Sequence, residues 1–157
     1  MKVLVIQPRM GIGDMVLFLS YIRAIAEKEK FPVSILVKES SRANDFLKND
    51  KDIDKIITLD RKEKSGIHDG IFGFYNLIKT LKKENFEKVY IFSSSLRYAL
   101  IANFSGIKKI YQYRLFKKQG QNIVTAAKKF TEQSLGTQVS TEPKLYLDEK
   151  LINDAKK

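Results

Sequence analysis

Apolar residues in this chain fall into short β-branched runs separated by longer stretches with helical spacing. Residues 2–6 (KVLVI), 33–37 (VSILV), 55–59 (KIITL), 88–92 (KVYIF) and 109–113 (KIYQY) read as strands. The first is almost wholly apolar, as in a strand buried on both faces. A helix is predicted over 15–30, with Val16, Leu19, Ile22 and Ala26 at three- and four-residue steps. Pro32 stops it. Ser40 caps a short helix to residue 48. A polar loop with Gly66 and Gly70 leads into a helix over 71–85, whose Phe74, Leu77, Ile78 and Leu81 share one face. Ser94 or Ser95 caps a helix ending at Phe104, and 122–135 forms the next. A short apolar piece at 145–147 is followed by the start of a helix at Asp148.

Strand and helix thus alternate about five times with short connections. That pattern predicts an α/β fold: a Rossmann-like open parallel sheet, with right-handed crossovers and helices on both faces. The length, 157 residues, suits one such domain over 1–147, with 148–157 opening a linker helix toward something further. Apolar residues at 43% and aromatics at 11% are enough for a packed core.

Composition narrows the chemistry. There is no cysteine, which removes disulfides, thiolate nucleophiles and thiolate metal sites. His68 is the single histidine, so any catalytic triad or multi-histidine metal site would hang on it. The N-terminal apolar run is too short for a signal peptide, and no run approaches the roughly 20 residues of a membrane span. The expectation is a soluble, cytoplasmic protein. The 29 Lys and Arg against 18 Asp and Glu leave a net charge of +11, which favours anionic partners: nucleic acid, phosphorylated metabolites or acidic lipid head groups. Of those cations 23 are Lys and six are Arg. The arginines matter more, because guanidinium grips carboxylate and phosphate with a paired fork.

In an open parallel sheet, ligands bind beyond the carboxyl ends of the strands. Four of the six arginines follow predicted strands: Arg9, Arg61, Arg97 and Arg114, with Arg23 and Arg42 left in helices. That rim is what an anion site requires. After the first strand comes Gly11-Ile12-Gly13-Asp14. A dinucleotide fingerprint would place its third glycine at Val16, and a carboxylate at the helix start would repel a pyrophosphate. No nicotinamide, flavin or metal cofactor is expected. Asp14 fits two compatible roles: a helix N-cap, and a general base at the mouth of the sheet. Asp50, Asp52 and Asp54 lack the Gly and Glu of a calcium loop and are read as solvating a turn. Ser93, Ser94 and Ser95 lack a nucleophile elbow and read as a helix cap, with a hydroxyl available to a ligand. His68 reads as exposed. Residues 108–118 hold five cations with Tyr111, Tyr113 and Phe116. Binding of single-stranded nucleic acid is one reading of these, and a buried strand with charged ends is the other.

Taken together, 2–19 (KVLVIQPRMGIGDMVLFL), 55–62 (KIITLDRK), 89–102 (VYIFSSSLRYALIA) and 110–114 (IYQYR) resemble the N-terminal half of the ADP-heptose–lipopolysaccharide heptosyltransferases, glycosyltransferase family nine. The resemblance runs over essentially the whole chain, and its most specific part is the Gly-x-Gly-Asp turn. It implies a two-domain GT-B enzyme that inverts the transferred sugar without metal. The missing domain would hold the nucleotide-sugar, ADP-heptose. This half would hold an anionic glycolipid acceptor of the lipid A–Kdo type, with contact at the inner membrane surface and no specific nucleic acid. The catalytic base falls on Asp14. Arg61 and Arg97 match acceptor-gripping positions, with Arg9, Arg114, Ser94, Gly11 and Gly13 beside them. The chain departs from the family at Gln7, where a basic residue is common, and at Ser20, where proline is usual. It departs again at Ile91 and at Ser93-Ser94, where an aspartate and Gln-Gly are usual. The isolated chain is expected to be inactive without a donor domain. The alternative class is a basic Rossmann-like binding module without catalysis.

Overall fold

The computed structural model describes residues 1–62, 66–113 and 122–142. Five parallel strands, β1 (Val3–Gln7), β2 (Val33–Lys38), β3 (Ile53–Leu59), β4 (Lys88–Ile91) and β5 (Lys109–Gln112), form one sheet in the order β3-β2-β1-β4-β5. The expected α/β class and open parallel sheet are therefore what the chain adopts. Strand order reverses between β1 and β4, which opens a crevice beyond their carboxyl ends.

The pleat sorts the core into two layers. Val3 and Val5 face one cluster with Phe18, Tyr21, Ile22 and Ile25 of α1 (Ile12–Glu29), and with Ala127 and Leu135. Leu4 and Ile6 face the other with Leu77, Leu81, Tyr98 and Ile101. Every residue of β1 is buried, as its unbroken apolar run predicts. The 40–48 helix is corrected. It is a 3₁₀ turn, Glu39–Ser41, and a single α turn, α2 (Ala43–Phe46), parted by Arg42 at φ 51. Arg42 is thus a junction residue, pairing with Asp45 at 2.6 Å. Three longer helices follow among the described residues: α3 (Gly70–Glu84), α4 (Leu96–Phe104) and α5 (Ile123–Leu135). Asn122 caps α5, its Oδ1 accepting from the Val124 amide at 3.0 Å.

Two polar ties brace this frame. Asp50 is buried, so the acids before β3 do more than solvate a turn. Arg23 donates to Asp50 Oδ2 at 2.6 Å and sits 3.6 Å from Asp52, fastening α1 to that turn. At the amino end of the sheet Glu29 takes two contacts from Lys88 Nζ, at 2.6 and 2.7 Å, and a third from the Tyr90 hydroxyl at 2.6 Å. Burial and the Glu29 carboxylate push the Tyr90 phenol well above its ordinary pKa.

Candidate functional site

The turn after β1 sets the position of Asp14. Gly11 adopts φ 94, a conformation open to glycine and strained for other residues. That sharp turn starts α1 at Ile12, three residues before the apolar spacing suggests. The helix N-cap is therefore Gly11 and not Asp14, which corrects the capping role. Asp14 stands in the first turn, where the helix dipole favours a carboxylate. Its Oδ2 lies 3.3 Å from Arg9 Nε. The two side chains are 26% and 39% exposed, so the carboxylate is tethered yet reachable from solvent.

Beside this pair lie two polar side chains whose importance sequence reading missed. Gln7, the last residue of β1, is fully buried and neither amide atom has a partner. The Tyr113 hydroxyl, just beyond β5, is buried without a partner as well. Burial pushes its pKa up against the opposing pull of the Arg9 guanidinium, so Arg9 lies within electrostatic reach of both Asp14 and Tyr113. A polar residue at the carboxyl end of an apolar strand was the available signal for Gln7.

A second cluster gathers where β3, α3 and α4 meet. Asp69 is the N-cap residue of α3. Its carboxylate accepts from the backbone amides of Lys62 and Gly66 at 2.8 and 3.1 Å, and from Arg61 Nε at 3.1 Å. Hydrogen bonds to Asp69 and Tyr98 raise the Arg61 pKa further. Arg97 sits in the first turn of α4. Its Nη2 donates to the His68 and Gly70 carbonyls at 2.9 and 3.2 Å, and its guanidinium lies 5.5 Å from the Phe74 ring centre. Its Nε is buried and unpartnered; burial and the neighbouring Arg61 charge lower its pKa. The structure brings Arg61 and Arg97 together at one end of the rim and Arg9 with Asp14 at another. Arg114 lies outside the described residues, as do Lys117, Lys118 and 145–157.

His68 is buried at 5% exposure, against the expectation of an exposed loop residue. The reason is the fold of 66–70 back onto β3. The His68 amide donates to the Asp60 carbonyl, and Asp60's own amide donates to His68 Nδ1, both at 3.0 Å. Gly73 allows the close approach, since a Cβ there would fall 2.1 Å from the His68 carbonyl carbon. Burial lowers the His68 pKa below 6.5, opposed by the Asp60 carboxylate. The unfolded chain therefore takes up this proton before the folded one, and stability is lost as pH falls below 6.5. One such group contributes a slope of at most about 1.4 kcal/mol per pH unit. Urea midpoints at pH 7.5 and 5.5 (conditions bracketing that shift) should fall further for the wild type than for His68→Asn, whose Oδ1 still accepts but does not titrate. Equal falls would remove His68 as the cause.

The turn after β4 carries Ser93, Ser94 and Ser95. Ser95 is the N-cap residue of α4 but makes no side-chain capping bond, so the hydroxyl cap is corrected as well. Instead Gln112 Nε2 donates to the Ser93 and Ser95 carbonyls at 2.8 and 2.9 Å and holds the turn. Ser94 is partly exposed there. Tyr111 of β5 and Tyr113 just after it are engaged in packing. Tyr111 stacks on Tyr90 at 4.9 Å, and Tyr113 meets Phe92 and Phe130 edge to face. Among the described residues no group of three or more His, Cys, Asp or Glu is placed to hold a metal ion, and no helix is long and apolar enough to cross a membrane.

A five-stranded open parallel sheet with flanking helices is a fold found in solved glycosyltransferases. The chain is similar to a glycosyl transferase family 9 from Veillonella parvula DSM 2008, at TM-score 0.68 and 15% identity, over 94% of this chain and 44% of that one. It is also similar to E. coli ADP-heptose lps heptosyltransferase II (TM-score 0.60, 17% identity, 96% and 48% covered) and to E. coli heptosyltransferase WaaC with ADP (0.54, 12%, 90% and 50%). At these identities the likeness is one of fold, and the chain spans about half the length of the structures it matches. No family model and no curated protein sequence matches it.

Proposed function

We propose that this chain is the acceptor-binding half of an inverting, metal-independent glycosyltransferase of the heptosyltransferase type, family nine. The sugar is heptose from ADP-heptose, and the acceptor is a lipid A–Kdo glycolipid of the lipopolysaccharide inner core. The donor is held by a second Rossmann-like half. Asp14 takes the proton of the acceptor hydroxyl as its oxygen bonds to the anomeric carbon, and the bond to the ADP phosphate breaks on the opposite face with its electron pair. Arg9 positions Asp14. Gly11 and Gly13 let the acceptor approach the turn, while Arg61, Arg97 and Arg114, with Ser94, bind the acceptor's carboxylates and phosphates.

The strongest support is the Asp14 carboxylate itself. It is free of capping duty, partly exposed, and sits at the carboxyl end of the strand beside which sheet order reverses. The neighbours' own names, heptosyltransferase II and WaaC, point to the same class. The test is transfer of labelled heptose from ADP-heptose to Kdo-lipid A by this sequence joined to its donor half. Release of ADP that requires the acceptor is the expected result. Steeply salt-dependent retention of single-stranded DNA, with no transfer, would favour a binding module instead.

A further inference from the structure

His68 is the single histidine of the chain, and the proposed chemistry makes no use of it. Yet both arginines of the β3–α3–α4 cluster take their place from its surroundings. Arg97 Nη2 donates to the His68 carbonyl at 2.9 Å and to the Gly70 carbonyl at 3.2 Å. Arg61 directly follows Asp60, and its Nε is held at 3.1 Å by Asp69, the residue after His68. Whatever fixes residues 66–70 against residues 60–62 therefore aims both guanidinium groups.

A reciprocal pair of hydrogen bonds fixes them. The His68 amide donates to the Asp60 carbonyl, and the Asp60 amide donates to His68 Nδ1, each at 3.0 Å. The second bond requires one form of the ring, the neutral tautomer with its proton on Nε2, because a protonated Nδ1 has no lone pair left to accept with. The ring has no slack in which to adjust, since the residue is 5% exposed. A Cβ on Gly66 would fall 2.6 Å from the Asp60 carbonyl oxygen, and one on Gly73 would fall 2.1 Å from the His68 carbonyl carbon. The segment is thus pressed against residues 60–62 on one side and against α3 on the other. Three charged groups face the ring. Asp60 after β3 and Asp69 at the start of α3 favour the imidazolium, Arg97 of α4 opposes it, and burial outweighs the carboxylates. The ring is therefore neutral at neutral pH and takes up its proton only in acid.

We propose that His68 is a positioning residue for the Arg61–Arg97 pair: its neutral ring locks residues 66–70 onto Asp60 and so aims both guanidinium groups, and protonation at Nδ1 opens the lock. Protonation sets two donors, the Asp60 amide and the Nδ1–H, against each other. As the ring leaves, it takes along the carbonyls that hold Arg97 and the carboxylate that holds Arg61. The consequence rests on reading that pair as the grip on an anionic acceptor: anion binding there is strongest while His68 is neutral and weakens in mild acid. Added positive charge by itself would do the opposite.

NMR on the whole chain tests this, with sulfate as the anion because its charge stays constant from about pH 8 to about pH 5, where histidine is the side chain that ordinarily titrates. Ring-nitrogen shifts of the single histidine should report the Nε2–H tautomer at the neutral end. The Nε–H signals of Arg61 and Arg97, assigned with Arg61→Lys and Arg97→Lys, should move with the His68 midpoint while that of Arg9 does not. Sulfate should bind the pair roughly tenfold more weakly at the acid end, the worth of one hydrogen bond to a charged group. His68→Asn, whose Oδ1 can stand in for Nδ1, should remove the pH step. His68→Gln, whose amide reaches the place of Nε2 instead, should bind sulfate more weakly than His68→Asn at every pH. A ring protonated at Nδ1 in the neutral protein, arginine signals that ignore the His68 midpoint, sulfate binding that tightens in acid, or a pH step that survives His68→Asn would each overturn the proposal. If sulfate moves neither arginine while both signals still follow the histidine, the lock stands and the acceptor reading of the pair falls.

Discussion

Asp14→Asn is expected to lower sugar transfer by a factor of about 10² to 10⁴, the range that a positioned general base contributes. Asparagine keeps the shape of the side chain and an oxygen for Arg9 but cannot accept the hydroxyl proton. The stability effect should be small. The Arg9–Asp14 pair is partly exposed at 3.3 Å, and such pairs contribute about 0 to 1 kcal/mol. For a chain of this size that shifts the melting temperature by at most about 4 °C. Because Gly11 occupies the N-cap, Asp14→Asn removes no capping bond. Turnover measured with the donor half present, beside a thermal melt, checks both. Transfer that survives the substitution would move the base to another residue.

The largest stability effect is expected at the opposite end of the sheet. Glu29→Ala removes the acceptor shared by Lys88 and the Tyr90 hydroxyl, where the Glu29 and Lys88 side chains are only 5% and 13% exposed. An ammonium left buried without its partner costs about 3 to 5 kcal/mol. That corresponds to a fall in melting temperature of roughly 10 °C. Replacing all three groups, Glu29→Leu with Lys88→Met and Tyr90→Phe, should recover most of the loss, since apolar side chains leave no buried charge or hydroxyl without a partner. Chemical denaturation of the three proteins checks this. A loss below about 1 kcal/mol for Glu29→Ala would mean that water reaches Lys88 and replaces the carboxylate.

Much of the site was legible in the chain because it depends on where strands end. Arg9, Arg61 and Arg97 all follow strands, and parallel pairing alone carries them to one rim. The role of Asp14 was not legible to the same degree. Whether that carboxylate caps α1 or stands free turns on the φ of Gly11, and the spacing of apolar residues does not report a backbone angle. His68 escaped for a related reason. Its burial comes from hydrogen bonds to Asp60, eight residues away, across a loop with no periodicity.

Local patterning therefore determined the element order, the two apolar faces of the sheet and the cationic balance, because each follows from residue types at fixed near spacings. Tertiary structure alone decided how the arginines divide into Arg9 with Asp14 and Arg61 beside Arg97. It alone joined Phe74 to Tyr75 and Phe104 in one exposed patch, and left Gln7 and Tyr113 buried without partners. Those outcomes rest on contacts between segments far apart in the chain, and such contacts exist only once the sheet has brought the segments together.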